Sequence, residues 1–127
     1  MKQRINSMKG APPLGPYSAA IKVNNLIFTS GQIPLDPKSG KIVNGPIQDQ
    51  VRQTLENLRT LLENAGSSLN KTIKCTVYLQ NLKDFEAMNE IYANYFQGES
   101  PPPARTTIQA AQLPKGVGVE IDIIALA

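Results

Sequence analysis

PPPARTTIQAAQLPKGVGVEIDIIAL, residues 101–126, is two apolar-rich runs around a short polar segment. The runs are residues 104–111 and 117–126, and Gln112-Leu113-Pro114-Lys115-Gly116 between them reads as the longer loop of a hairpin. In the second run Val117, Val119, Ile121, Ile123 and Ala125 alternate with Gly118, Glu120, Asp122, Ile124 and Leu126. One face is wholly apolar and the other mixed, the period-two signature of a strand. A turn centred between Gln112 and Leu113 sets Arg105 opposite Glu120, with Cβ atoms about 4.5–5.5 Å apart in antiparallel pairing. Spacing alone makes this a solvent-exposed cross-strand ion pair, worth about 0–1 kcal/mol. The stiff lead-in Pro101-Pro102-Pro103 adds that the direction of Arg105 is fixed.

Upstream of this stretch, residues 85–96 read as a second helix, with Asp84 as N-cap and Phe85, Met88, Tyr92 and Tyr95/Phe96 as its buried stripe. Asn89 lies at the edge of that stripe and faces either solvent or a cleft. Residues 72–79 alternate, with Ile73, Cys75, Val77 and Leu79 on the apolar side. Cys75 thus reads as a small buried hydrophobe, since nothing nearby supplies the electropositive, open setting of a reactive thiol. The clearest helix starts at Pro46 with Asp49 in its first turn. Its stripe is Ile47, Val51, Leu55, Leu58, Leu61, Leu62 and Ala65, and Gly66 is its C-cap.

Nearer the start, residues 11–16 are a Pro/Gly-rich loop leading to Tyr17. Residues 18–23 and 26–30 read as strands joined by Asn24-Asn25, a turn able to take positive φ. Leu26-Ile27-Phe28-Thr29 is a continuous apolar run, expected to be covered on both faces. Gly31 ends that strand, either as a tight exit without a Cβ penalty or as an amide open to a ligand. Residues 33–45 are loop, with a short strand at 41–43. The order β-β-(β)-α-β-α-β-β places two helices on one face of a mixed sheet, an α+β arrangement. Strands 72–79 and 104–111 bracket a helix and are candidates for parallel pairing. Gly118, Ile124 and Leu126 on the second face of the last strand would leave an apolar patch in water, which an oligomer would bury.

With 127 residues the chain is expected to be one domain, 1–127. No apolar run approaches the roughly 20 residues of a membrane helix. Nor does the polar start show the apolar core of a secretory signal, so a cytoplasmic location is expected. The formal net charge of +3 comes from scattered residues with no basic run, so nucleic-acid binding is weakly supported. A lone cysteine forbids an intrachain disulfide. The absence of histidine removes Ser-His and Cys-His nucleophilic sites and most zinc geometries.

Pro-Ala-Arg at 103–105, Leu-Pro at 113–114 and Val-Glu-Ile at 119–121 resemble the C-terminal signature of the RidA (YjgF/UK114) family. Ala-Pro-Pro-Leu-Gly-Pro-Tyr-Ser at 11–18 and Phe-Thr-Ser-Gly-Gln-Ile-Pro at 28–34 resemble its two other blocks, in order along nearly the whole chain. The resemblance implies a chorismate-mutase-like fold, three copies of which form a homotrimeric barrel with sites at subunit boundaries. It implies hydrolysis of 2-imino acids such as 2-iminobutanoate and 2-iminopropanoate, released by pyridoxal-phosphate dehydratases, to 2-keto acids and ammonia, without metal or cofactor. By position, Arg105 clamps the substrate carboxylate and Glu120 positions water or shuttles protons. Tyr17 offers a phenol, while Ser30, Gly31, Phe85, Asn89 and Thr107 line the pocket. Many members carry cysteine where this chain has Thr107. Two other readings remain open: an RNA-directed ribonuclease or translation inhibitor, as some relatives are described, and a carboxylate-binding or holdase-like module without turnover.

Overall fold

The computed structural model describes residues 1–6 and 15–127, so residues 11–14 of the proposed N-terminal loop lie outside it. The principal elements of the described residues are, in order, β1 (Gln3–Ile5), β2 (Ala20–Val23), β3 (Leu26–Thr29), α1 (Ile47–Asn64), β4 (Thr72–Leu79), α2 (Phe85–Tyr95), β5 (Ala104–Gln109) and β6 (Val119–Leu126). The strands form one sheet in the order β1-β2-β3-β6-β4-β5. It is mixed: β4 and β5 run parallel, and every other neighbouring pair is antiparallel. Short antiparallel partners follow from tight turns. Asn24 takes φ 52 between β2 and β3, a left-handed conformation that asparagine tolerates.

Both helices cover the same face. Val51, Leu55, Leu58 and Leu62 of α1 pack with Val119, Ile121, Ile123 and Ala125 of β6 and Cys75, Val77 and Leu79 of β4 in one core. Pro46 precedes the first helical residue, and α1 ends in a Schellman motif. Gly66, at φ +81, donates its N–H to the Glu63 carbonyl, and Ser67 donates to Leu62. Cys75 is fully buried, and burial pushes its thiol up to about 11.

Four details depart from the sequence expectations. Ile73 is 42% exposed, because the ladder shifts between Thr72 and Lys74. That bulge uses two residues of β4 against one of β6, so Thr72 turns inward in place of Ile73. Phe28 is 38% exposed, because the helices cover one face only and β3 is open on the other. Gly118 packs against α1, not on the open face: its N–H donates to Gln50 Oε1 at 2.8 Å, and a Cβ would meet Ile47. The strand expected at 41–43 is a single bridge between Leu35 and Ile42.

The largest departure concerns the C-terminal hairpin. β5 and β6 are not neighbours, since β4 lies between them. Alternation in each run identified both strands correctly, but period two does not say which strand is adjacent. The end of β4 captures both flanks of the linker. Ala110 donates to the Leu79 carbonyl and Gln80 donates to Gly118, so the segment between them steps across the end of β4. No helix of the described residues is long and apolar enough to cross a membrane.

Candidate active site

Register divides the site residues between two faces. Arg105 stands beside Cys75 and Thr107 beside Val77, both on the helix-covered face. Glu120 stands opposite Tyr78 on the other face, with Asp122 opposite Thr76. Arg105 therefore does not face Glu120 within one chain, and the cross-strand ion pair expected from the hairpin is absent.

On the helix side, α2 meets β5 through Arg105. Nη1 of Arg105 donates to Asn89 Oδ1 at 2.7 Å. Its guanidinium carbon lies 5.5 Å from the Phe85 ring centroid and 4.7 Å from that of Tyr92, both cation–π distances. Phe85 is not part of the buried stripe. It stands at the first turn of α2, and Ile91 joins Met88 and Tyr92 in its place. Among the described residues no carboxylate comes within salt-bridge range of Arg105. The Thr107 hydroxyl is buried and has no hydrogen-bond partner among the described residues. Thr106 points the other way and accepts from Lys74 Nζ at 2.6 Å.

On the open side, Glu120 is half-buried. Burial raises its carboxyl above the ordinary value, and the Asp122 charge raises it further. Gly31 runs against it, held by paired backbone bonds between Gln32 and Ile121 of 2.8 and 3.0 Å. A Cβ on Gly31 would come 2.7 Å from Glu120 Oε2, so the glycine is what admits the carboxylate here. Ser30 is turned towards the segment that leads into β2, its Oγ donating to the Ser18 carbonyl at 2.6 Å. Tyr17 is 53% exposed at a groove of about 450 Å³ shared with Arg4 and Ile21, which belong to the open face.

Seven of the eight expected site residues thus fall into two groups: Arg105, Phe85, Asn89 and Thr107 on one face, and Glu120, Gly31 and Tyr17 with the other. Ser30 adjoins the second group but commits its hydroxyl to the backbone. Tyr92 was read from the sequence only as core. Its spacing of seven from Phe85 and three from Asn89, which places all three on one helical face, was the available signal. Asp122, two residues from Glu120, carries the same kind of signal for a strand.

The family described as Endoribonuclease L-PSP matches residues 8–127. The chain belongs to this family, the RidA family. A RutC family protein of Pyrococcus horikoshii is 54% identical over 125 residues, covering 98% of each chain. The mouse 2-iminobutanoate/2-iminopropanoate deaminase is 43% identical over 126 residues, covering 99% of this chain and 92% of that one. The crystal structure of E. coli TdcF with bound serine matches with a TM-score of 0.89 at 38% identity, covering 98% of this chain and 99% of that one. The sheet of six strands with two helices is accordingly the RidA-family α+β fold.

Proposed function

We propose that this chain hydrolyses short 2-imino acids and their enamine tautomers to 2-keto acids and ammonia, at sites each shared by two copies. The observation that carries the reading is Arg105: its guanidinium is oriented by Asn89 and two rings, yet no carboxylate of the described residues neutralises it. Such a fork suits the carboxylate of a ligand, with two parallel N–H···O bonds. The chemical class follows from relatives. The mouse protein is named for this deamination, and the E. coli structure holds serine, which carries a carboxylate beside a nitrogen-bearing carbon.

With the carboxylate on Arg105, the iminium carbon C2 lies open to water. The water oxygen bonds C2 as the C=N electron pair moves onto nitrogen, and Glu120 takes the water proton. Glu120 returns that proton to nitrogen. The C–N bond then breaks, ammonia leaves, and the hydroxyl proton passes through Glu120 to solvent as the C=O bond forms. Burial raises the Glu120 carboxyl above its ordinary value, which makes its carboxylate a stronger base towards the water proton. Tyr17 adds a phenol to the same side, and the Thr107 side chain lies on the Arg105 face.

Because Arg105 and Glu120 occupy opposite faces, one substrate reaches both only if the second group comes from another copy. The open face supplies a reason to associate: Phe28, Leu126 at 42% exposure and Ile108 at 45% lie on it beside Ile124. A homotrimer that covers this patch would bring the two groups together.

The test is a coupled assay in which threonine dehydratase produces 2-iminobutanoate and semicarbazide traps it. The wild-type chain is expected to suppress the semicarbazone signal, and Arg105→Ala to lose nearly all of that effect. An unchanged trapping rate with wild type would overturn the reading and favour a carboxylate-binding module.

A further inference from the structure

Phe85, Asn89 and Tyr92 touch one cation from one face of α2, and each does so differently. Asn89 takes one N–H of Arg105. Phe85, at the exposed first turn, has its ring 5.5 Å from the guanidinium carbon. Tyr92 is the nearer ring at 4.7 Å and only 7% exposed. The Phe96 ring lies 4.6 Å from it at a tilt of 40°, which holds the plane of Tyr92. The Tyr92 hydroxyl is buried against the Cys75 thiol and makes no hydrogen bond to Arg105. What Tyr92 offers Arg105 is therefore its ring face.

We infer that Tyr92 is a positioning residue that sets the plane of the Arg105 guanidinium for a bound carboxylate. A guanidinium over a ring uses none of its N–H groups in that contact, because they lie in its own plane. With one Nη1 hydrogen committed to Asn89, the remaining edge stays available to two carboxylate oxygens. Exclusion of water strengthens the attraction between cation and ring. The inference takes only the carboxylate nature of the ligand from the deaminase reading.

The experiment titrates the keto-acid product 2-oxobutanoate into wild type, Tyr92→Phe and Tyr92→Leu by calorimetry, beside the trapping assay and melting curves. Tyr92→Phe, which keeps the ring, is expected to match wild type within about twofold. Tyr92→Leu is expected to bind roughly tenfold more weakly and to raise KM more than it lowers kcat. A structural role alone would lower the melting temperature without that split. Equal binding by Tyr92→Leu and wild type, or equal loss in Tyr92→Phe and Tyr92→Leu, would overturn the inference. Should Tyr92→Leu not fold, the wild-type Arg105 Nε–H resonance decides, identified by its loss in Arg105→Lys. A ring-current shift that persists in Phe85→Leu and that 2-oxobutanoate leaves in place supports Tyr92, and its absence overturns it. Ring-dependent binding without imine turnover would sink the deaminase reading and leave this one standing.

Discussion

Arg105 and Glu120 point to opposite faces of one sheet, in strands separated by β4. Any substrate that meets both does so across two chains, and that makes the arrangement testable by mixing. Arg105→Ala and Glu120→Gln are each expected to be inactive alone. Unfolded together and refolded in equal amounts, they should regain about a quarter of wild-type activity, since one interface in four of a cyclic assembly pairs two intact groups. No recovery on mixing would refute the shared site.

Gly31 should tolerate no side chain if Glu120 is to stay where it is. The added Cβ of Gly31→Ala meets the far end of the Glu120 side chain at 2.7 Å, and that end can swing aside. The fold is therefore expected to survive with a melting temperature within a few degrees of wild type, while kcat/KM falls at least about tenfold. A variant that keeps full activity would remove Glu120 from the reaction.

The pH dependence follows from the half-buried carboxyl. Facing Glu120 are Asp122 on its own strand and Tyr78 across on β4, with Lys74 and Thr76 near Asp122. As the base, Glu120 must be ionised, so kcat/KM falls as pH drops through its raised value. Asp122→Asn removes a negative neighbour and should move that acid limb to lower pH. For stability the sign is reversed. The folded state holds the Glu120 proton more tightly than the unfolded one, so ionisation costs stability above the raised value, a cost absent below the ordinary carboxylate range. Glu120→Gln at pH 7 should thus melt no lower than wild type at equal protein concentration.

Thr107 is expected to matter little. Its hydroxyl is buried without a partner among the described residues, so Thr107→Ala removes an unsatisfied group and should leave stability unchanged or slightly raised. Most activity should remain in the trapping assay. A loss equal to that of Arg105→Ala would assign the hydroxyl a direct part in the chemistry.

Local chemistry made much of this fold legible. Asn24-Asn25 announced its turn, the α1 stripe and Gly66 their helix and its end, and alternation placed Cys75 in the core. The parallel partnership of β4 and β5 was legible from the helix between them. Long-range choices were not. Whether β5 turns back on β6 or passes across β4 is settled by which strand can bury both of its edges, and period two is blind to that. The same limit hid the bulge that exposes Ile73, and put Arg105 and Glu120 on one face when they lie on two.

The sheet order also bears on when the site can exist during synthesis. β1, β2 and β3 form one ribbon and β4 with β5 another, and only β6, the last strand in the chain, joins them. Until β6 has left the ribosome and inserted, the two ribbons share no backbone hydrogen bonds and Glu120 has no Gly31 to lie against. Nascent chains halted before residue 119 should accordingly expose both inner edges, of β3 and β4, to whatever strand arrives first.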